Sequence, residues 1–313
     1  MTRPGAKVAL LMTLPPLLWA GNAVVGRLLV GHVPPLTLNA MRWLLALAIL
    51  LPLGWRVLRA PRELLARGPH LLLLGTLGVG MYNALQYLAL VSSTPINVTL
   101  IAASMPVWML AVGALGYGVR PQRRQLAGAA LSLAGVALVI ARGDPTALAE
   151  VRFVPGDLYI LAAIVAWAFY SWMLARPPAT MRGAAEPTVR DGPTERPWNW
   201  SELLLVQVLF GLVFALGAGG LEQAAGAAPI RWSGWVLAAL VYVAVGPAVI
   251  AYRCWGLGVA AAGPAAAAFF GNLTPVFAAL LSALLLGEGP QWFHGAAFAL
   301  IVGGIVVSSA RPR

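Results

Sequence analysis

Ten mostly apolar segments, each about 20 residues long, fill most of this 313-residue chain. A helix of that length is ~30 Å long, which matches the hydrocarbon layer of a bilayer. Apolar residues make up 60% of the chain and charged residues 10%, with a mean hydropathy of +0.82. A soluble domain of this size would not have that balance. The sequence therefore predicts an all-α polytopic membrane protein with ten transmembrane helices.

The gaps between the ten predicted spans are mostly too short to hold a further domain. In chain order the spans are 8–30, 35–57, 70–91, 95–116, 123–141, 156–176, 200–220, 235–258, 264–286 and 291–310. The longest gap, 177–199, is rich in proline and charge, so we expect a flexible cytoplasmic connector there. The first span is long enough to be a retained helix rather than a signal peptide.

Basic residues lie mainly on one side of the predicted membrane. With the N-terminus inside, 16 of the 21 lysines and arginines fall in cytoplasmic segments. The other five lie toward the outside: Arg27, Arg42, Arg142, Arg152 and Arg231. Acidic residues divide evenly between the two sides of the predicted membrane. Only the basic residues are distributed asymmetrically, as the positive-inside rule requires. We therefore expect both termini in the cytoplasm and the protein in the plasma membrane, the inner membrane of a bacterium.

The second half of the chain repeats the first. At a constant offset of 169 the matches are Pro95 with Pro264, Pro106 with Pro275, Gly118 with Gly287, Pro121 with Pro290, Gly135 with Gly304 and Ala141 with Ala310. Trp19 and Trp167 match at an offset of 148. Each half then has five spans, and an odd number forces the halves into opposite orientations. We predict two inverted five-helix repeats, residues 1–143 and 144–313; a chance resemblance between apolar helices is the alternative.

Pro106 and Pro275 lie 11 residues into the fourth and ninth predicted spans, near the middle of the bilayer. A proline has no N–H, so it frees the carbonyl four residues earlier, at Ala102 or Gly271. In lipid such a carbonyl is tolerated only where it faces protein or a wet cavity. Two proline-bent helices in corresponding positions of two halves are typical of a transporter's binding site.

Several classes of function are disfavoured by the sequence. The net charge of +11 is spread over short gaps, so we expect no nucleic-acid binding. The single cysteine, Cys254, excludes an internal disulfide and has no metal-ligand neighbour, and we expect no metal or cofactor. A membrane-embedded enzyme is a weak alternative, because no HExxH, phosphate loop, nucleophile elbow or His/Asp cluster is present.

Several stretches carry a family resemblance: LLWAGN around Trp19, LNAMRWLLALAILLP, AASMPVWMLAVGALGYG, LAGAALSLAGVALVI, NLTPVFAALLSALLLGE and GAAFALIVGGIVV. In these the chain resembles the EamA family of the drug/metabolite transporter superfamily. The resemblance implies a ten-helix exporter of small metabolites, with a central cavity lined by the first, third, fourth, sixth, eighth and ninth helices. Members usually end the fourth helix of each half with Gly-Glu; Gly287-Glu288 keeps this pair, whereas Gly118-Val119 does not.

Polar and aromatic residues near the middle of the spans are the candidate substrate-binding residues. They are Trp19, Asn22, Tyr82, Gln86, Asn97, Ser104, Trp167, Tyr170 and Asn272, with Pro106 and Pro275 as helix bends. Tryptophan is unusual at the bilayer centre, so a repeat-matched pair indicates cavity walls. Polar side chains in lipid must be hydrogen-bonded, either to a ligand or to a neighbouring helix, and the second alternative stays open for each of them.

Charged side chains are expected at the edges of the spans. Snorkelling to the outer interface would explain Arg27 and Arg42. Arg253 is expected to snorkel toward the cytoplasm, with binding of a substrate carboxylate as the alternative. No acidic residue lies in the middle of a span. Proton- and cation-coupled carriers commonly keep a buried carboxylate, so the sequence favours facilitated diffusion, with proton coupling through less obvious groups as the alternative.

The sequence thus predicts a membrane transporter, not an enzyme, that exports a small metabolite by alternating access. The metabolite is expected to be an amino acid or a related compound. Efflux of hydrophobic or cationic drugs is the alternative within transport. The expected partners are a small-molecule substrate and membrane lipid, and the protein is expected to be a monomer or a homodimer.

Overall fold

A computed structural model describes residues 6–93, 98, 101–150, 154–178, 198–286 and 291–309. Nearly all of these residues are helical and none of them is in a strand, which confirms the all-α prediction. The main helices are α1 (Ala6–Leu28), α2 (Pro35–Gly54), α3 (Gly68–Ser92), α4 (Met105–Tyr117), α5 (Arg123–Ile140), α6 (Pro155–Ala175), α7 (Trp200–Ala224), α8 (Gly234–Ala262), α9 (Pro264–Gly271), α10 (Thr274–Leu286) and α11 (Trp292–Ser309). A short helix, Pro61–Ala66, lies between α2 and α3.

Six helices in the described part of the chain are long and apolar enough to cross a membrane: α1, α2, α3, α6, α7 and α8. Shorter apolar helices include α4 and α11. Prolines begin several of the helices, since the missing N–H is not needed in the first turn. Glycine ends α4, where Gly118 has a φ of +65° that other residues adopt only with strain.

The fourth and ninth spans are broken rather than bent, which corrects the sequence prediction. The ninth span consists of α9 and α10, joined by a turn at Asn272 and Leu273. The fourth resumes as α4 after a turn that ends at Ser104. Pro106 and Pro275 therefore lie in the first turn of a new helix. A proline that cannot continue one helix is well suited to begin the next.

α3 and α8 each contain a π-helical segment in mid-helix. The segments are Thr76–Met81 and Ala244–Ile250, and a shift of 169 residues superposes their ends and leaves their starts one residue apart. A π-helical segment interrupts the regular pattern of backbone hydrogen bonds, and such segments are frequent at functional sites. Each predicted half of the chain thus has the same irregularity in its third helix.

Glycines allow α5 and α11 to pack closely and antiparallel. A Cβ added at Gly128 would lie 2.6 Å from the carbonyl oxygen of Gly304, and one at Gly135 would lie 2.8 Å from that of Ala297. Positions 297 and 304 lie 169 residues beyond 128 and 135. The two contacts are therefore reciprocal, with each helix presenting the same two positions to the other.

Buried acidic side chains stabilise the starts of two helices. Asp157 accepts a hydrogen bond from the backbone N–H of Val154 at 2.8 Å. Glu202 accepts one from the N–H of Asn199 at 2.8 Å, and the Asn199 side chain in turn accepts from the N–H of Glu202 at 3.0 Å. A negative charge is favourable at a helix N-terminus. Both carboxylates thus lie at helix ends, where the sequence placed them.

Candidate functional site

Aromatic side chains from α1, α3, α6 and α8 meet at the centre of the bundle. Trp167 is 1% exposed, and its ring centroid lies 4.9 to 5.4 Å from the rings of the five others. We call the six residues the aromatic cluster: Trp19, Tyr82, Trp167, Tyr170, Tyr252 and Trp255. Aromatic pairs at such distances add about 0.5–1.5 kcal/mol each beyond the area that they bury. The cluster therefore joins helices of both halves.

The two π-helical segments accept hydrogen bonds from the aromatic cluster. Trp19 Nε1 donates to the carbonyl oxygen of Pro247 at 3.3 Å. The Tyr252 hydroxyl donates to the carbonyl oxygen of Gly78. Gly78 and Pro247 are equivalent positions at the offset of 169. Corresponding carbonyls in α3 and α8 are thus both bound by an aromatic donor from the opposite half.

A cavity of about 70 Å³ adjoins the aromatic cluster, and we call it the Trp19 cavity. Its lining includes Trp19, Tyr82, Gln86, Ala102, Gly271 and Pro275. Sites that hold small organic ligands usually measure about 300–1,000 Å³, so this volume holds a few water molecules and no metabolite. The described conformation is therefore closed around its centre.

The breaks in the fourth and ninth spans both open onto the Trp19 cavity. Ala102 and Gly271, whose carbonyls the prolines were expected to free, both line it. The Thr274 hydroxyl donates to the Gly271 oxygen at 2.7 Å, and the Ser104 hydroxyl donates to the Ile101 oxygen at 2.6 Å. A side-chain hydroxyl therefore satisfies a backbone carbonyl at each break.

Two buried donors near the centre have no hydrogen-bond partner among the described residues. They are Nε1 of Trp167 and Nδ2 of Asn272. Leaving a buried donor unpaired costs about 1–3 kcal/mol. Both residues were predicted as site residues, and both offer an N–H that a solute could use.

The other predicted site residues are placed differently. Asn22 is 1% exposed, and its Oδ1 accepts hydrogen bonds from side chains of α2 and α3 rather than lining the Trp19 cavity. The Tyr170 hydroxyl donates to Oε1 of Gln207 at 2.9 Å. The Ser104 hydroxyl donates to the Ile101 carbonyl three residues earlier, and Asn97 lies outside the described residues.

Arg42 is fully buried, so the prediction that it snorkels to the interface is wrong. Its Nη1 donates to Oδ1 of Asn83 at 2.7 Å, to the Tyr87 hydroxyl at 3.2 Å and to Oδ1 of Asn22 at 3.3 Å. We call these four residues the Arg42 cluster. Position along the span suggested the interface, but α1 and α3 cover the guanidinium. Arg27, by contrast, is exposed and donates to the Leu90 carbonyl at 3.0 Å.

Sequence reasoning missed Tyr252 and Trp255, although the repeat could have found them. At the offset of 169 they correspond to Asn83 and Gln86 of the third span, and Gln86 is one of the predicted site residues. They lie three residues apart, on one face of a helix. Tyr252 and Trp255 thus occupy the positions in the second half that Asn83 and Gln86 occupy in the first.

Two larger cavities lie at opposite ends of the bundle. The Tyr87 cavity, about 300 Å³, is lined by Gly26, Leu38, Tyr87 and Glu222, among others. The Arg176 cavity, about 1,000 Å³, lies at the ends of α4, α6 and α8 and the start of α9. α6 begins beside the end of α3, where Ser93 donates to Asp157. The last turn of α6, at Arg176, is therefore remote from the Tyr87 cavity.

The described side chains of the site offer aromatic surfaces and N–H donors. Among the residues that the structure describes, no group of three or more His, Cys, Asp and Glu side chains could hold a metal ion. Cys254 is buried and forms no disulfide.

The long apolar helices of the described part of the chain are typical of an integral membrane protein. The sequence model of the EamA-like transporter family matches residues 6–141 and 194–310, and the chain belongs to that family. The resemblance seen in the sequence is thereby confirmed.

Individual relatives match almost from end to end. A probable amino-acid metabolite efflux pump of Salmonella typhimurium is 27% identical over 98% of this chain and 95% of its own length. The aromatic amino acid exporter YddG of Ancylobacter novellus is 27% identical over 90% of each chain. A crystal structure with 23% identity superposes with a TM-score of 0.70, over 97% of this chain and 96% of the other, and shares the fold.

Proposed function

We propose that this transporter exports an amino acid or a related small metabolite by alternating access. The names of the two relatives above support the solute class. The observation that carries the proposal is the closed Trp19 cavity, built by both halves around two broken spans. The Tyr87 and Arg176 cavities lie beyond it at opposite ends. A solute could enter the centre from one end and leave it at the other when the bundle rocks.

The proposed architecture is ten transmembrane helices in two inverted repeats, residues 1–143 and 144–313. The reciprocal glycine contacts of α5 with α11 support it, because a two-fold axis exchanges equivalent positions in this way. The matched π-helical segments support it too. The bias of arginines supports a cytoplasmic location for both termini and the 177–199 connector. We place the protein in the bacterial inner membrane.

In the proposed site, the solute's flat or apolar part packs on Trp19, Tyr82 and Trp167. Gln86 and Asn272 offer hydrogen bonds to its polar groups, and Asn97 remains a sequence-based candidate. Tyr170 positions Trp167, since their rings lie 4.9 Å apart. The alternative of cationic-drug efflux is disfavoured by the buried positive charge of Arg42 close to the site.

The function is tested first by comparing culture media. A strain that overproduces the protein should release more of one or a few amino acids or related metabolites than a strain without the gene. The released compound is then loaded with a radiolabel into sealed vesicles that contain purified protein. Release from the vesicles should be faster than from vesicles without protein, and the compound should leave chemically unchanged.

Trp292→Phe serves as the control for variants of the site, because Trp292 is exposed at the start of α11 and lines none of the three cavities. Trp19→Ala should slow release far more than this control does. Equal release from vesicles with and without protein, for every compound found in the media, would refute the proposed export.

A further inference from the structure

The guanidinium of Arg42 has one edge paired and one edge free. Nη1 forms all of the side chain's hydrogen bonds that the described residues show, whereas Nε and Nη2 are buried and have no hydrogen-bond partner among those residues. In a planar guanidinium, Nε–H and one N–H of Nη2 point the same way along a common edge. That edge has the geometry that binds the two oxygens of a carboxylate at once.

Among the described residues no acidic side chain pairs with Arg42, whose guanidinium carbon lies 5.2 Å from the ring centroid of Trp43. The three acceptors of Arg42 are an amide oxygen of Asn22, an amide oxygen of Asn83 and the hydroxyl of Tyr87, all of them neutral. The side chain is 0% exposed, so water does not compensate the charge either. An ion in this environment costs several kcal/mol unless an opposite charge is supplied. The missing charge is the second observation, independent of the free edge, that points to an anionic ligand.

The Arg42 cluster adjoins both the Tyr87 cavity and the Trp19 cavity. On α1, Asn22 of the cluster is next to Ala23, which lines the Trp19 cavity. On α3, Asn83 of the cluster follows Tyr82, which lines the Trp19 cavity, and Tyr87 of the cluster lines the Tyr87 cavity. The cluster therefore reaches from the wall of one cavity to the wall of the other.

We propose that Arg42 binds the carboxylate of the transported solute through its Nε and Nη2 edge. This rests on the proposed function and specifies the charged group that the site recognises. The site is closed in the described conformation, and movement of α1 or α3 exposes the free edge to the Trp19 cavity. The solute's side chain then packs on the aromatic cluster while its carboxylate neutralises Arg42.

The test compares probes that differ only in the charged group. L-Phenylalanine and hydrocinnamate carry a carboxylate, and L-phenylalaninamide and hydrocinnamamide are their neutral-amide counterparts. Binding to purified protein in a neutral detergent is followed by quenching of tryptophan fluorescence, to which the aromatic cluster contributes. Both carboxylates should bind at least about tenfold more tightly than their amides, as the loss of charged hydrogen bonds predicts.

Variants assign that preference to Arg42. Arg42→Gln should abolish it, and Arg42→Lys should restore only part of it, because lysine keeps the charge and loses the two-pronged edge. Arg27→Gln, which removes an exposed guanidinium, is the control and should keep the full preference. Size-exclusion chromatography and thermal unfolding establish that each variant is folded.

The wild-type comparison decides the matter even if Arg42→Gln does not fold. Equal binding of acid and amide, or binding of none of the four probes, overturns the proposal. So does displacement by added anionic lipid without any preference between acid and amide. Flux into vesicles separates failure of the Arg42 proposal from failure of the proposed transport function. If acid and amide are transported at equal rates, the protein is a transporter but Arg42 does not select the carboxylate. If the acid binds more tightly than the amide and neither is transported, the Arg42 site is supported and the transport function is not.

Discussion

The ring centroids of Trp19 and Trp167 lie 5.3 Å apart, with the rings edge to face at 88°. These two residues are matched in the internal repeat, at an offset of 148. Equivalent residues of two units related by a two-fold axis touch each other only next to that axis. The contact therefore agrees with the proposed pseudo-two-fold axis through the aromatic cluster, and the proposed solute site would then be formed by residues of both halves.

The free N–H of Trp167 gives the first prediction. Trp167→Phe keeps an aromatic ring, removes an unpaired donor and leaves a small gap, so solute affinity should fall while thermal stability falls less than in Trp172→Phe. Trp172→Phe should lose about 1–3 kcal/mol because the Met109 carbonyl becomes unpaired. Unfolding midpoints and solute-binding titrations measure the two effects. Unchanged affinity in Trp167→Phe would make this tryptophan a packing residue.

The break between α9 and α10 gives the second. Pro275→Ala restores a backbone N–H at position 275. The Thr274 hydroxyl still donates to the Gly271 carbonyl, so α9 and α10 should remain separate helices. The double variant Thr274→Val, Pro275→Ala removes both the competing hydroxyl and the proline. It should allow α9 and α10 to form one continuous helix, with a gain of up to ~3 kcal/mol in stability. Transport should fall further than in either single variant. Pro52→Ala in α2 is the control, and wild-type transport by the double variant would show that the break is dispensable.

Close packing of α5 on α11 gives the third. Gly128→Ala should destabilise the protein by about 1–3 kcal/mol, since its Cβ would lie 2.6 Å from the Gly304 oxygen. Gly304→Ala should cost a similar amount through the reciprocal contact. Gly303→Ala has nothing within 4 Å of its Cβ and should be neutral or slightly stabilising. Thermal unfolding in detergent measures all three, and equal midpoints would contradict the described packing.

Orientation in the membrane gives the fourth. Single cysteines at Ala66 and Ala228, both exposed, are introduced after Cys254→Ser. In intact cells a membrane-impermeant thiol reagent should label the cysteine at 228 and not the one at 66, because the segment around 66 is rich in arginine. Permeabilised cells should show labelling of both. Labelling at 66 alone in intact cells would reverse the proposed topology.

Energy coupling gives the fifth. Asp157 and Glu202 are buried, but each is engaged at a helix start rather than near the Trp19 cavity. We therefore expect flux to follow the solute gradient alone. In vesicles with an imposed pH gradient, the solute should not accumulate against its own gradient. Accumulation that an uncoupler abolishes would refute this, and Glu202→Gln and Asp157→Asn would then identify the group that carries the proton.

The helices were predictable because hydropathy over about 20 residues depends only on composition. The inverted repeat stays a prediction, which rests on glycines and prolines that recur in register. The breaks were located correctly but described incorrectly as bends. The local sequence does not predict that Pro275 lies in the first turn of a new helix, nor that the Thr274 hydroxyl donates a hydrogen bond to the last residue of the helix before it.

The candidate site was only partly predictable. Trp19, Tyr82, Gln86 and Pro275 do line the central cavity, because depth along a span determines which layer of the bundle a residue occupies. Depth does not determine which neighbouring helix covers a side chain. Arg42 and Asn22 were misplaced for that reason, since the packing of α1, α2 and α3 encloses both.

The hydrogen bonds at the π-helical segments also bear on how the chain is made. The Gly78 carbonyl belongs to a helix that leaves the ribosome early, whereas its donor, the Tyr252 hydroxyl, is synthesised 174 residues later. Until then the Gly78 carbonyl lacks the hydrogen bond that joins the third helix to the eighth. A chain truncated after its fifth helix would keep that defect permanently. Membrane quality control could therefore recognise an incomplete protein at its third helix, without inspecting the end of the chain.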